Sequence, residues 1–458
     1  MRELIRLAWP VFIAQVAIIA NGMVDTVMAG RLSSADLAAI GIGSAIFASV
    51  FITATGVLLA LTPAVAHRYG AGQRDAIGEE VRQAAWLALG LALVVELLFL
   101  FPDPLLALSR LTPDMEVRVR AYLGALAWYV PAGMLLRLFH AASSGLGLPR
   151  PAMILSLLTL ALKVPLNWVF MYGSFSQFGL PALGATGCGV ASAVAGWLVA
   201  AVACWWWATW EAYRPYGMFQ RFSLPRWSDL AALLKLGLPI GATFLVDVTA
   251  FTFMALFIAR LGATASAAHQ IAANLSVLCF MLPTAIGHAA GVLAGQFLGA
   301  QQPAQARRAC LQGYGLGMAC TLVLAASLAL GRNSLAGFYT ADPAVQTLAA
   351  SLILWVAGYH LADGLQTVAV NVLRGYKRAT APMVIYAVAL WGVGLAGGVA
   401  MGLYDWLGPP RGAAGFWQAG TVALALAGLA VTAYWWRVST AALHTDAYTI
   451  PAANNTTP

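Results

Sequence analysis

The sequence predicts an all-α integral membrane protein: about twelve transmembrane helices in two parallel six-helix lobes that form a central cleft. Three observations carry this expectation. Of 458 residues, 61% are hydrophobic and only 9% charged, whereas a soluble domain is about 25% charged. The apolar residues gather into about twelve runs near the ~20-residue length that crosses a bilayer. The first half of the chain also reappears in the second.

The runs cover residues 4–29, 37–66, 82–102, 119–141, 151–173 and 183–210 in the first half. They cover 230–259, 265–298, 308–331, 345–373, 381–403 and 411–437 in the second. The first run follows Met1-Arg2-Glu3-Leu4-Ile5-Arg6 and outlasts the ~7–15 residues of a secretory h-region, so it is a mature helix. It holds Pro10, which either frees a carbonyl for bending or marks helix entry, and also Asp25. The third run carries Glu96 toward its outer end, where a side chain snorkels. The fifth encloses Lys163, which either pairs with an N-lobe acid such as Asp25 or snorkels inward. The basic, proline-containing stretch Arg214 to Trp227 reads as the connection between lobes. The seventh run repeats the proline as Pro239 and holds Asp247. The eighth opens with His269 and places Gln270 and Asn274 four residues apart, either lining a cavity or bonding between helices. The tenth holds Tyr359, His360, Asp363 and Gln366. Residues 441–458 form an Ala/Asn/Thr-rich tail expected to be disordered. The lobes are then 1–222, including the start of the connection, and 223–440.

The repeat is read from a nearly constant offset. Leu7-Ala8-Trp9-Pro10 returns as Leu236-Gly237-Leu238-Pro239, and Tyr69-Gly70-Ala71-Gly72-Gln73 as Leu298-Gly299-Ala300-Gln301-Gln302, both 229 residues later. Gly145 and Met153 meet Gly375 and Met383 at 230, and Gly184-Ala185-Thr186-Gly187 resembles Gly412-Ala413-Ala414-Gly415 at 228. Six spans per copy preserve orientation, so the copies are parallel.

Net charge is +8, but the basic residues are scattered between apolar runs. They point to a membrane surface and away from nucleic acid. With cytoplasmic termini, 17 of the 25 Lys and Arg residues fall inside and seven outside (Arg31, Arg110, Arg118, Arg120, Arg260, Arg332 and Arg411), with Lys163 left in a span. The five cysteines show neither Cys-x-x-Cys pairing nor metal spacing and read as packing residues.

Asp25, Asp247 and Asp363 all lie inside apolar runs. An ionised carboxylate there costs about 2.5 kcal/mol or more, and it marks an ion pathway, proton relay or cation site by default. Tyr359, Asp363 and Gln366 are spaced i, i+4, i+7 and share one helix face. Asp363 and Asp247 each fall near mid-span, and carboxylates, phenol and amide facing one cavity suit a hard cation or a shared proton. Repeat architecture with midplane acids is the pattern of secondary transporters.

At this point the motifs themselves become informative. Gly22-Met23-Val24-Asp25-Thr26-Val27-Met28-Ala29-Gly30 followed by Asp36-Leu37-Ala38-Ala39 resembles the first-helix signature of multidrug and toxic compound extrusion (MATE) transporters, in their bacterial NorM-like branch. So do Tyr69-Gly70-Ala71-Gly72, Val164-Pro165-Leu166-Asn167-Trp168, Gly187-Cys188-Gly189-Val190-Ala191, Pro239-Ile240-Gly241 and Leu373-Arg374-Gly375-Tyr376-Lys377. The resemblance implies a secondary antiporter that exports cationic amphiphilic drugs across the inner membrane in exchange for Na+ or H+, without a cofactor and as a monomer. It also implies a C-lobe cation site at Asp247, Tyr359 and Asp363, where Na+ would bind. The branch usually has Glu where this chain has Asp247, a reach shorter by one methylene. Asn167 and Ser192 match family positions near Asp25 and suggest a second, N-lobe site. The alternative is a flippase for lipid-linked saccharides of related architecture, which usually carries a cationic cavity. No His-Glu-x-x-His, Gly-x-Ser-x-Gly or P-loop motif is present, so an enzyme is not expected.

Overall fold

The computed structural model describes residues 1–107, 111–173, 181–406 and 408–444. Arg110 and the tail from residue 445 lie outside them. Among the described residues, eleven helices are long and apolar enough to cross a membrane, or twelve if one bent pair is a single span. The protein is an all-α, multi-pass membrane protein. In chain order the helices are α1 (Arg2–Leu32), α2 (Ser34–Leu58), α3 (Leu61–Gly70), α4 (Arg74–Leu100), α5 (Asp103–Leu106), α6 (Pro113–Ala127), α7 (Val130–Gly145) and α8 (Pro149–Tyr172). There follow α9 (Ala185–Thr209), α10 (Trp227–Ala259), α11 (Ala263–Gly299), α12 (Pro303–Tyr339), α13 (Pro343–Gly375), α14 (Thr380–Ala387), α15 (Gly397–Gly402) and α16 (Ala413–His444).

Several boundaries follow from single residues. Asp342 caps α13 by accepting the backbone N–H groups of Ala344 and Val345, and Pro343 supplies the preset first helical position. The expected span 119–141 is the bent pair, α6 and α7 meeting at 48°. Pro131 sits in the first turn of α7, where it lacks the N–H that would continue the ladder from α6. Pro10 and Pro239 lie inside α1 and α10, so they are not helix-entry residues. The expected span 381–403 is interrupted by a π-helical stretch, Val388–Ala396. Residues 441–444, expected to belong to the disordered tail, are helical: α16 continues to His444, because Ala442 is still buried and nothing in Ala441-Ala442-Leu443 breaks a helix.

Contacts divide the chain into two compact units. One comprises Trp9–Val65 and Arg74–Thr249; the other comprises Met1–Ala8, Ala66–Gln73 and everything from Ala250. Packing and sequence repeat are thus different partitions, since α1, α3 and α10 each contribute to both units. In the first unit α8 packs on α9, α6 on α9, α4 on α7 and α2 on α6. The helices α2 and α10 approach at glycine: a methyl added at Gly56 would lie 2.9 Å from Gly241 Cα. The end of the connecting stretch is strapped to α4. Ser223 Oγ donates to Glu79 at 2.7 Å, Gln83 Nε2 and Trp86 Nε1 donate to the carbonyls of Leu224 and Ser223, and Arg226 pairs with Glu79.

In the second unit α13 is central and packs on α11, α12 and α16. Its core holds Val368, Val372, Leu373, Tyr376 and Trp435, joined by Leu4 and Leu7 from the start of α1. Gly287, Gly291, Gly295 and Gly299 recur every four residues on α11 and so share one face. That face lets backbones touch: a methyl on Gly291 would lie 2.4 Å from the Asn371 carbonyl oxygen, and one on Gly375 2.3 Å from that of Gly291. His67 closes the same end, its Nε2 sitting 2.8 Å from the Gly375 carbonyl.

The repeat survives as backbone geometry. Gly72 (φ 69°) and Gln301 (φ 58°), 229 residues apart, are both left-handed. Gly147 (φ 74°) pairs in this way with Lys377 (φ 56°), and Gly184 (φ 58°) with Gly412 (φ 59°).

Overpacking a close backbone contact costs about 1–3 kcal/mol. Gly291→Ala is therefore expected to lower the thermal unfolding midpoint of the purified protein, whereas Gly315→Ala, where an added methyl meets nothing within 4 Å, leaves it within error. Equal midpoints for the two variants would remove the glycine face from the account of α11–α13 packing.

Candidate functional site

Asp363 lies on α13 with Tyr359 and Gln366 on the same face, and all three are 5% exposed. At 1.5 Å per residue Asp363 stands about 6 Å past the middle of the helix. Thr367, one turn on, donates its hydroxyl toward both Asp363 Oδ1 (3.4 Å) and Gln366 Oε1 (3.3 Å). Thr367 was not anticipated, although its i+4 spacing from Asp363 was available in the sequence.

Neighbouring helices hold this face by close approach. A methyl on Gly364 would meet Thr321 Oγ1 of α12 at 2.5 Å. One on Gly420 of α16 would meet the Tyr359 ring at 3.3 Å, and one on Gly428 the Gln366 backbone nitrogen at 3.2 Å. The Tyr359 ring stands edge-on to Trp417 of α16, centroids 5.3 Å apart, and to Phe251 of α10 at 6.3 Å. His269 of α11 lies 5.8 Å from Trp417, ring to ring. His360 is buried beside the site, and its Nε2 has no hydrogen-bond partner. Gln270 and Asn274 are exposed on α11, and neither bonds to another helix, which removes the interhelical alternative for this pair.

Asp247 is half-buried on the part of α10 that belongs to the first unit. Asp25, Lys163, Asn167 and Ser192 of that unit converge. Lys163 Nζ lies 3.1 Å from Asp25 Oδ2, with the lysine side chain 5% and the aspartate 15% exposed. Lys163 therefore does not snorkel; it pairs with Asp25. Its ammonium also donates to Ser192 Oγ, and that hydroxyl donates onward to the Cys188 carbonyl. Asn167, fully buried, donates Nδ2 to Asp25 Oδ1 at 2.8 Å. One carboxylate, an amide, a hydroxyl and an ammonium from α1, α8 and α9 form one network.

Asp36 was quoted only as part of a motif, yet it ties two helices together. It accepts the Ala185 N–H that opens α9 at 2.9 Å and the Ser33 hydroxyl at 2.6 Å. Gly184, just before, leaves no room for a side chain, since an added methyl would sit 2.7 Å from Asp36 Oδ1.

An all-α membrane fold, a backbone repeated at a nearly constant offset and carboxylates within its spans define the class of a membrane transporter. The MatE family profile matches residues 10–169 and again 239–399, starting each time at the repeated proline. Over 92% of its length the chain is 42% identical to a probable multidrug resistance protein NorM of Aromatoleum aromaticum, covering 90% of that protein. It is 38% identical to multidrug resistance protein PmpM of Pseudomonas aeruginosa over 93% of this chain and 88% of the other. Among solved structures, the eukaryotic MATE transporter AtDTX14 shares the fold at a TM-score of 0.84 and 17% identity, covering 97% of this chain and 98% of that one. An outward-facing multidrug resistance MATE family transporter of the MOP superfamily does so at 0.87 and 17%, covering 97% and 96%. The chain belongs to the MatE family, and is a transporter, not an enzyme.

Removing one partner of a buried ion pair strands the other and costs about 3–5 kcal/mol, whereas an apolar replacement of both is often close to neutral. Asp25→Asn alone is expected to destabilise the protein by about 3 kcal/mol or more. Adding Lys163→Met to it restores most of that loss. Chemical denaturation of the single and double variants checks this; a double variant less stable than Asp25→Asn contradicts the pairing.

Proposed function

We propose that the protein is a secondary active antiporter that exports cationic amphiphilic drugs across the bacterial inner membrane in exchange for Na+ or H+. The observation that carries this reading is the buried Asp363, framed by Tyr359, Gln366 and Thr367 on α13, the helix that packs on α11, α12 and α16. A carboxylate in that setting is either ionised beside a cation or neutral with a proton bound. It therefore changes charge as it loads and unloads, which exchange requires. Curated relatives at 36–42% identity carry the names of multidrug resistance proteins, which supports drugs as the cargo. In this reading the ion gradient supplies the energy with no bound cofactor, a single chain suffices, and both termini face the cytoplasm. Asp363 with Tyr359 takes the coupling ion, and Asp247 is a second acid required in the cycle.

The deciding experiment is dye efflux from proteoliposomes under a Na+ gradient alone and then under a pH gradient alone. Efflux under one of the two names the coupling ion; none under either refutes the antiport reading.

Two substitutions test the acids. Asp363→Asn keeps size and removes charge, and efflux is expected to fall to the level of empty liposomes while the purified protein stays folded. Near-normal efflux by this variant at equal reconstitution would exclude Asp363 from coupling. Asp247→Asn is expected to be equally damaging, and Asp247→Glu to retain much of the activity, because only reach changes. An Asp247→Glu variant as inactive as Asp247→Asn would show that this position depends on reach as well as charge.

A further inference from the structure

Lys163 stands where a transporter of cations has no evident use for a fixed one. It lies within α8, buried, with its ammonium between Asp25 Oδ2 and Ser192 Oγ. The groups around the pair are oxygen-bearing side chains of three kinds, with the Cys188 thiol also against the Asp25 carboxylate. The Asp25 carboxylate and the Ser192 hydroxyl touch the ammonium directly. The Asn167 amide holds the other Asp25 oxygen through Nδ2, and its own Oδ1 is buried without a hydrogen-bond partner. Asn21, one turn before Asp25, leaves a second buried amide oxygen unbonded. Carboxylate, hydroxyl and amide oxygens are the donor set that hard cations prefer. An ammonium is also a compact charge of +1, with three donors and a flexible stem.

We infer that Lys163 is a tethered counter-cation that stands in the place of a free monovalent cation, so that the Asp25 site of this chain takes no Na+ of its own. Lys163 is then a specificity-determining residue: it closes the Asp25 site to the coupling ion and leaves loading to the acid on α13. The tether makes the occupant part of the chain, so no ion concentration outside the protein competes it away on equal terms. The network accounts for both directions of the arrangement. Asp25 is neutralised without drawing an ion from solution, and Lys163 is kept buried without an acid from elsewhere. A purely structural ion pair would share the geometry but would not predict that removing the lysine opens a binding site.

The role assigned to Lys163 rests on the antiporter reading, but the test is one of equilibrium binding, so the two can fail separately. Na+ bound per chain is counted on the full-length purified protein at alkaline pH, for wild type, Lys163→Met, and Lys163→Met combined with Asp25→Asn. The expected result is one additional Na+ in Lys163→Met over wild type, lost again in the double variant. The thermal midpoint of Lys163→Met should also rise in NaCl relative to choline chloride at equal ionic strength, since an ion that binds only the folded state stabilises it. A Lys163→Met protein with the wild-type Na+ count and no Na+-dependent midpoint overturns the inference. If Lys163→Met does not fold in either salt, wild type against the double variant decides. Equal counts support the tethered cation, and one Na+ more in wild type overturns it. Failure of wild-type efflux under either gradient counts against the antiporter alone and leaves these binding counts standing.

Discussion

The approach of α11 to α13 at backbone distance is the constraint on which the second unit depends. Helices in a bilayer gain little from burying apolar surface against one another, because lipid is as apolar as leucine; they associate through close contact and interhelical polar bonds. The glycines of α11 allow that contact, and Gly364, Gly420 and Gly428 extend it to α12 and α16. Asp363, Tyr359 and Gln366 are thereby held on a helix with neighbours on several sides. Their side chains have few alternatives, so a change of charge at Asp363 cannot be absorbed by rearranging the same helix alone.

Each unit handles a buried acid differently. In the first, Asp25 is met by an ammonium, an amide and, through the lysine, a hydroxyl. In the second, Asp363 receives a long bond from Thr367, whose single proton is directed at two acceptors. One arrangement is saturated by the chain itself. The other places a carboxylate beside a hydroxyl, a phenol and an amide of its own helix, with no ammonium among these four groups. Duplication supplied two copies of the helical frame, and the residues at α8 and α13 made the copies chemically unequal.

Much of the fold was legible because its determinants are local or periodic. Length and hydropathy located the spans, and the 229-residue offset between Pro10 and Pro239 located the repeat. The Asp363 face followed from i, i+4, i+7 spacing. What escaped depends on partners far away in sequence. Whether Lys163 reaches Asp25 or the interface depends on how α1 and α8 pack, which hydropathy does not encode. The role of Asp36 as an acceptor for the first N–H of α9 needs a contact across 149 residues. The π-helical stretch at Val388–Ala396 left no mark in composition, since π and α turns use the same apolar residues. The sequence partition at residue 222 is likewise a statement about ancestry, while the packing units describe which segments touch.

The paired left-handed residues carry a further meaning. Where the first copy has Gly72 and Gly147, the second has Gln301 and Lys377, residues for which that conformation is uncommon and strained. The turns share one shape although only the first copy has the residue that makes the shape easy. In the second copy the helices on either side, α11 into α12 and α13 into α14, therefore dictate the path of the turn. Ancestry in this chain is therefore recorded more durably in torsion angles than in amino acids, and a search for its duplicated origin does better to compare backbones than letters.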